Sequence, residues 1–188
     1  MRNERGQGLV EFALVMPLVL LLSLGVVEVG YALLDQHVVT KLTREGSNLI
    51  SRDASLLDAA TAMQNMSNRP VNFGTHSRLI FSVIKRGSTV GTANYNRDIL
   101  YQRYSYGSLS AASTLTTAGS ASFGPAPDFQ APNADNNANL RLTNLPANLL
   151  VTGGMLYVTE IFTTHDLITP FNRLGVIVPN RLYSIAYF

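Results

Sequence analysis

Cysteine is missing from this sequence, which excludes disulfide bonds, thiol catalysis and thiolate metal sites. Charge is scarce as well: Asp, Glu, Lys and Arg make up 14% of the chain, whereas hydrophobic residues make up 46%. The fourteen Lys and Arg residues are scattered, so the sequence has no basic stripe for nucleic acid. This balance favours a membrane-attached or multimer-forming protein.

Motifs for catalysis and cofactor binding are missing too. The dispersed glycines lack the lysine of a phosphate-binding loop, and the serines form no Gly-x-Ser-x-Gly elbow. His37, His76 and His165 have no His or Cys neighbour at metal-ligand spacing. Asp166 follows His165, but adjacent residues on an extended chain point in opposite directions, so we expect His165 on the surface or at a sheet end. We therefore expect no enzymatic activity, no cofactor and no metal site.

The chain is rich in apolar sequence near its N-terminus. No charge interrupts residues 12–27, and apolar residues resume after Glu28 as far as Leu34. As a helix, residues 9–34 would span roughly 38 Å, enough to cross a hydrocarbon core of about 30 Å. Two arginines precede this run, which favours a cytoplasmic N-terminus. We expect one membrane-spanning helix, with the rest of the chain outside the cytoplasm.

Two carboxylates interrupt this apolar segment, Glu11 near its start and Glu28 near its end. A charge inside a membrane span opposes insertion by roughly 2.5–3.5 kcal/mol, so each needs an explanation. Each side chain could reach an interface, or it could pair with a cation when subunits pack together. If the chain is cut after Gly6, the new α-amino group of Gln7 becomes a candidate cation. Pro17 removes a backbone hydrogen bond and favours a kink.

The opening of the chain resembles that of TadE-like proteins, the minor pilins or pseudopilins of bacterial tight-adherence pilus systems. The matching segments are GQGLVEF at residues 6–12, ALVMP at 13–17 and LGVVEVG at 24–30. The resemblance is dense over about residues 5–50. It is looser near the C-terminus, where Gly153-Gly154 leads into LYVT at 156–159 and TPF follows at 169–171.

The resemblance implies a processing site. In this family a prepilin peptidase of the inner membrane cuts after a glycine, and a Glu is the fifth residue of the mature chain. A cut after Gly6 makes residues 1–6 a leader peptide and Gln7 the new N-terminus, with Glu11 in fifth place. Phe12 comes next, where related pilins commonly carry Tyr. Gly6, Gln7, Glu11 and Phe12 are therefore the predicted processing residues.

The resemblance also implies a structural subunit that serves in assembly or priming of a pilus for surface attachment. The implied partners are other pilin subunits, prepilin peptidase, the pilus assembly platform of the inner membrane and the lipid bilayer, without nucleic acid. The protein would begin as a single-pass inner-membrane protein and end in the pilus or at the cell surface. Glu11, Glu28 and Pro17 are the predicted assembly residues, with Glu28 on a different helix face from Glu11.

Beyond the membrane segment the pattern predicts an α+β fold. Leu34, Val38 and Leu42 recur every fourth residue, which favours one long helix from about residue 9 to residue 51. Residues 7–52 would then be a transmembrane and stalk helix, and residues 53–188 an exported globular domain.

This domain is predicted to begin with a short helix that Asp53 or Ser55 caps. The β-branched and aromatic segments predict four strands, at residues 79–84, 99–106, 155–163 and 181–188. No helix of convincing length separates the strands, so we expect an antiparallel sheet packed on the stalk helix.

A different composition marks residues 107–139, where Ser, Ala, Thr, Gly, Asn and Pro dominate. Such a segment buries little, so we expect a long, flexible or partly disordered surface loop. It could be a tolerated insertion or a contact loop on a filament surface. Arg103 lies among three tyrosines, which could offer a sugar-binding surface or simply pack across strands.

An alternative function needs no filament. Gly30-Tyr31-Ala32 fits an ordinary signal peptidase site, so the first 32 residues could be a signal peptide. The remainder would be a secreted or membrane-anchored β-rich binding module, and Glu11 would have no role. The mature N-terminus distinguishes the two hypotheses, since signal peptidase would leave Leu33 first and prepilin peptidase would leave Gln7 first.

Overall fold

The computed structural model describes residues 4–146, 149–169 and 180–188. Within these residues the protein has two α-helices, a short 3₁₀ helix and four strands. They are α1 (Glu4–Ile50), α2 (Leu56–Met66), β1 (Ser77–Arg86), β2 (Asp98–Tyr106), the 3₁₀ helix (Ala138–Leu140), β3 (Met155–Thr164) and β4 (Arg181–Tyr187). The strands form one antiparallel sheet in the order β2-β1-β3-β4. The expected α+β fold is confirmed, and each observed strand ends within two residues of its prediction.

The two halves of α1 have different surroundings. Between residues 7 and 27 all large apolar side chains are exposed, and the helix continues through Pro17. From Glu28 onward one face of the helix is buried against the sheet. Positions along this face recur at intervals of three, four or seven residues: Glu28, Asp35, Val39, Leu42, Gly46 and Ile50. Thr43 and Ser47 beside them are buried as well. The second half of α1 therefore belongs to the core of the globular domain.

The packing face of α1 differs from the predicted stripe. Leu34 is 56% exposed, and Val39 takes the core position expected for Val38, while Leu42 is buried as expected. Four residues of helix turn slightly more than once, so a strict fourth-residue stripe drifts by about 40° per step. Mixed intervals of three and four residues stay on one face of the helix, so all of these residues can contact the same sheet.

α1 lies along β3 and β4. Gln36 Nε2 donates to the carbonyl oxygen of Tyr183 at 3.1 Å, and Ser47 Oγ donates to that of Ala186 at 2.9 Å. Because both residue numbers rise together, β4 runs in the same direction as α1. In an antiparallel sheet β3 must then run back toward the N-terminal half of α1. The chain segment after β3 therefore begins near the point where α1 leaves the globular domain.

The helical face of the sheet carries the main core. Leu79, Phe81 and Val83 of β1 pack with Val39 and Ile50 of α1, and all five are at most 3% exposed. α2 covers the same face, and the Ser55 hydroxyl caps it by accepting from the Asp58 backbone N–H at 3.1 Å. Ser55 is therefore the cap, as one of the two predicted candidates.

The opposite face of the sheet is covered by the long segment that connects β2 to β3. Leu115 packs on Ile84 and Val158, and Ala131, Ala134 and Leu140 pack on Ile99. The Leu142 backbone N–H donates to the Asp98 carbonyl oxygen at 2.9 Å. Residues 107–139 thus bury more apolar surface than their composition indicates, because single Leu and Ala residues within this polar segment pack on the sheet.

A buried carboxylate fastens this segment to the sheet. Glu160 of β3 is fully buried and accepts from the Thr114 backbone N–H at 2.8 Å, from Thr114 Oγ1 at 2.7 Å and from Tyr183 Oη at 3.0 Å. Ser113 Oγ also donates to it. Burial and the nearby Glu160 carboxylate raise the pKa of the Tyr183 phenol, so Tyr183 stays a hydrogen-bond donor.

We expect Glu160→Ala to detach this segment from the sheet. Each donor left without an acceptor costs about 1–3 kcal/mol where it stays buried. The measurement is limited proteolysis of the full chain in detergent, with cleavage expected within residues 107–139. Asp128→Ala, an exposed carboxylate in the same segment, serves as the control. Equal protection of the Glu160→Ala and wild-type proteins would contradict the fastening role.

We expect Gly46→Leu to destabilise the contact between α1 and the sheet. A Cβ atom at Gly46 would lie 2.8 Å from Thr159 Cγ2 and 3.2 Å from Met63 Cε, too close for unstrained packing. Overpacking of this kind costs about 1–3 kcal/mol. Thermal unfolding in detergent should show a lower midpoint than for Gly30→Leu, since a Cβ atom at Gly30 meets nothing within 4 Å. Equal midpoints would show that α1 can shift away from the sheet at no cost.

Candidate functional site

The predicted processing residues lie at the start of α1. Gln7, Glu11 and Phe12 are exposed, and Gln7 Nε2 donates to Glu11 Oε1 at 3.1 Å. Gly6 belongs to the same helix, while residues 1–3 of the predicted leader lie outside the described residues. Glu11 therefore remains available to a partner outside this chain, and its processing and assembly roles stay predictions.

Most of the exposed large apolar side chains in the described part of the chain lie on α1, between Leu9 and Leu34. Leu14 and Val26 are more than 70% exposed, and large apolar side chains line every face between residues 9 and 27. Within the described residues α1 is the helix long and apolar enough to cross a membrane. Covering one such side chain is worth about 1.5–3 kcal/mol, so this surface needs lipid or other helices around it.

The second carboxylate of the apolar segment has its partners inside its own chain. Glu28 is 3% exposed and lies under the segment that follows β3. Its Oε2 accepts from the Thr169 backbone N–H at 2.9 Å, from Thr169 Oγ1 at 2.6 Å and from the Ile168 backbone N–H at 3.2 Å. These donors compensate a charge that would otherwise be costly at this position. Glu28 thus has hydrogen-bond partners within its own chain, and its assembly role stays a prediction.

His165 joins Glu28 to a second carboxylate of α1. Its Nε2 lies 3.1 Å from Glu28 Oε1 and its Nδ1 lies 2.6 Å from Asp35 Oδ2. An ionised carboxylate can only accept, so where both carboxylates are ionised, both ring nitrogens donate and the ring is an imidazolium. Burial lowers the pKa of His165, but the hydrogen bonds and charges of Asp35 and Glu28 outweigh burial and raise it. We call Glu28, Asp35, His165 and Thr169 the junction cluster.

The sequence predicts His165 on the surface or at a sheet end. It directly follows the last residue of β3 and is buried, with 2% of its surface exposed, so the sheet-end alternative is the one observed. Asp166 is exposed and takes no part in the junction cluster. One sequence signal could have found half of it, since Glu28 and Asp35 lie seven residues apart, two turns along one helix face. No local pattern could supply the partner, because His165 lies 137 residues away from Glu28.

Other predicted contacts have structural explanations. Arg103 Nε donates to Ser82 Oγ at 3.2 Å, and its guanidinium also reaches Ser113 Oγ at 3.0 Å, so it packs across strands and onto the long segment. Across the described residues, no group of three or more His, Cys, Asp and Glu side chains is arranged to hold a metal ion. Part of the weaker C-terminal resemblance, Pro170-Phe171, lies outside the described residues.

Comparison with known proteins matches the N-terminal part of the chain to a protein family. The family model described as TadE-like protein matches residues 6–48. This stretch holds all the predicted processing and assembly residues and most of α1, and the resemblance inferred from the sequence is confirmed there. No curated protein and no solved structure matches the chain. The matched stretch includes Glu28 and Asp35 but not His165. The family match therefore covers the α1 residues of the junction cluster and not the residues that follow β3.

Proposed function

We propose that this protein is a minor pilin, or pseudopilin, of a tight-adherence pilus system, and that prepilin peptidase processes it. The TadE-like stretch indicates a protein associated with such a pilus, and the long apolar helix indicates membrane anchoring. The proposal of a processed pilin rests on the fact that the TadE-like match and the apolar helix cover the same residues. The matched residues form a helix whose N-terminal half is apolar on all sides and holds one exposed carboxylate, Glu11.

The physical chemistry of α1 suits a subunit that moves from a bilayer into a filament. In the bilayer its apolar half is solvated by lipid, with the N-terminus in the cytoplasm and the globular domain outside. Bundle formation replaces lipid contacts with helix contacts at little net apolar cost. If the Glu11 carboxylate pairs with the α-amino group of Gln7 on a neighbouring subunit, their attraction stabilises the bundle only when the two helices are in the right register. The inner-membrane assembly platform would provide the site of this transfer.

We expect Gly6→Val to abolish processing, because the resemblance places the cut after Gly6. The measurement is mass spectrometry of the N-terminus of the membrane-associated protein, in cells with and without prepilin peptidase. Wild type should begin at Gln7 only when the peptidase is present, and Gly6→Val should keep its leader. Gly30→Val, the same substitution farther along α1, should be cut normally because a Cβ atom there meets nothing within 4 Å. A peptidase-independent N-terminus would contradict the proposal.

The alternative, a secreted β-rich module cut after Ala32, would separate Glu28 from the domain. His165 would then lose one of its two carboxylates, and Thr169 and Ile168 would lose the acceptor for their N–H groups. Unpaired buried donors are costly, so the junction cluster favours a mature chain that retains Glu28. A mature N-terminus at Leu33 would support the secreted module instead.

A further inference from the structure

The position of Glu28 relates the globular domain to the bilayer. Among residues 7–50 of α1, Glu28 is the first that the domain buries. The helical distance from Leu9 to Glu28 is about 29 Å, close to the hydrocarbon thickness of about 30 Å. A helix with Leu9 at the inner boundary of the hydrocarbon core therefore has Glu28 at the outer boundary.

The segment after β3 is held at the same level. The backbone N–H groups of Ile168 and Thr169 both donate to Glu28, at 3.2 and 2.9 Å, so this backbone cannot lie far from the outer boundary. Thr169 is buried, whereas Ile168 leaves 46% of its surface exposed. An exposed isoleucine on a backbone tied to a membrane helix is positioned to contact lipid.

α1 also exposes apolar surface close to Glu28 along the helix. Tyr31, less than one turn beyond Glu28, is 48% exposed. With Val27, Gly30 and Leu34 it lines a shallow apolar concavity on the helix. Tyrosine is enriched where the hydrocarbon meets the headgroups, because its ring is apolar and its hydroxyl is polar. We call Tyr31 and Ile168 the interfacial patch.

We propose that the interfacial patch inserts into the outer boundary of the bilayer and seats the globular domain on the membrane. The proposal rests on the membrane insertion of α1 proposed above. The patch is expected to lie at the boundary between headgroups and acyl chains. Tyr31 belongs to the apolar surface of α1, and the hydrogen bond from the Ile168 N–H to Glu28 holds Ile168 at the outer end of that surface. The domain supplies the donors that compensate Glu28, so a carboxylate at this boundary is shielded from lipid.

The chain contains no tryptophan, so single substitutions give unambiguous fluorescent reporters. Ile168→Trp reports on the interfacial patch and Leu20→Trp on the middle of the apolar helix. Val90→Trp is the control, since Val90 is 77% exposed in the β1–β2 connection, at the end of the sheet away from Ile168. Strands of this length separate the two ends by about 30 Å.

Each full-length variant is reconstituted into vesicles of phosphatidylglycerol and phosphatidylcholine brominated either near the headgroup or near the chain end. Bromine near the headgroup should quench Ile168→Trp, whose emission should also shift to the blue. Bromine near the chain end should quench Leu20→Trp more than Ile168→Trp. Neither lipid should quench Val90→Trp. Far-ultraviolet circular dichroism checks that all three variants keep the wild-type fold.

Quenched Leu20→Trp beside unquenched Ile168→Trp would overturn the seating proposal and leave membrane insertion of α1 intact. Unquenched Leu20→Trp would overturn both. If Ile168→Trp fails to fold, Ile168→Cys gives a unique labelling site, because the chain lacks cysteine. A small polarity-sensitive fluorophore at that site should report an apolar environment in vesicles, and a water-exposed signal would overturn the proposal.

Discussion

His165→Ala is expected to lower the free energy of unfolding by about 3–5 kcal/mol, the usual cost of removing one partner from a buried ion pair. Without the imidazolium, Glu28 and Asp35 keep their negative charges in a site where their side chains are 4% and 11% exposed. The measurement is urea unfolding of the full chain in detergent micelles, followed by tyrosine circular dichroism.

His37→Ala is the matched control. His37 lies on α1, the helix that carries Glu28 and Asp35. It is exposed and makes none of the contacts of the junction cluster, so its loss should change stability little. His165→Ala with the stability of wild type would show that the two carboxylates find other compensation, and would remove the junction cluster as the link between α1 and β3.

The stability that His165 contributes should depend on pH with a definite sign. The pKa of His165 is raised in the folded protein above its ordinary value of 6.5, so the folded state binds the proton more tightly than the unfolded state. Its contribution is therefore fully present below about pH 6.5 and is lost as pH rises through the raised pKa. Wild type should lose stability over this range and His165→Gln should not. A parallel decline in both proteins would assign the effect to other groups.

Glu11→Ala is expected to be inserted and still processed, because the predicted cut follows Gly6, which is unchanged, but to fail to enter pili. Alanine removes a charge that opposes insertion, so membrane association should not suffer. The exposed Glu11 has only the Gln7 side chain as a hydrogen-bond partner within the described residues, so its loss should leave the fold intact. The measurement compares the amount of this protein in sheared pili with the amount in the membrane fraction.

Ser23→Ala is a control for loss of a polar group in the same apolar helix, because the one hydrogen bond of Ser23 Oγ among the described residues goes to the Val19 carbonyl oxygen of its own turn. This variant should enter pili like wild type. Glu11→Gln, which keeps the size and loses the charge, should fail as Glu11→Ala does. Normal incorporation of Glu11→Ala would end the pairing hypothesis, and failure of Ser23→Ala as well would point to a general sensitivity of the helix.

Local patterns were sufficient to predict most elements. The apolar run from Leu9 and the four-residue spacing beyond it predicted α1, and the β-branched and aromatic segments predicted all four strands, because both signals depend on residues close in sequence. The exception within α1 is instructive. Whether Val38 or Val39 enters the core depends on where the sheet lies, and side-chain polarity is the same for both.

The segment between β2 and β3 shows the same limit. The composition of residues 107–139 predicted a loop that buries little, yet Leu115 and Ala131 are at most 5% exposed. Single hydrophobic residues in a polar segment have no periodicity, so sequence cannot tell which of them will find a cavity. The acceptor that holds the segment, Glu160, lies 46 residues beyond Thr114.

The sequence by itself determined the apolar helix, its two carboxylates and the TadE-like opening, because each is a property of neighbouring residues. Only the tertiary structure decided that the two carboxylates differ. Glu11 is exposed, whereas Glu28 lies against His165 and Thr169. The physical reason is chain direction: β4 runs along α1, so the end of β3 returns to the point where α1 leaves the domain. A buried charge acquires its partners from whichever segment the fold brings there, and sequence spacing carries no record of that.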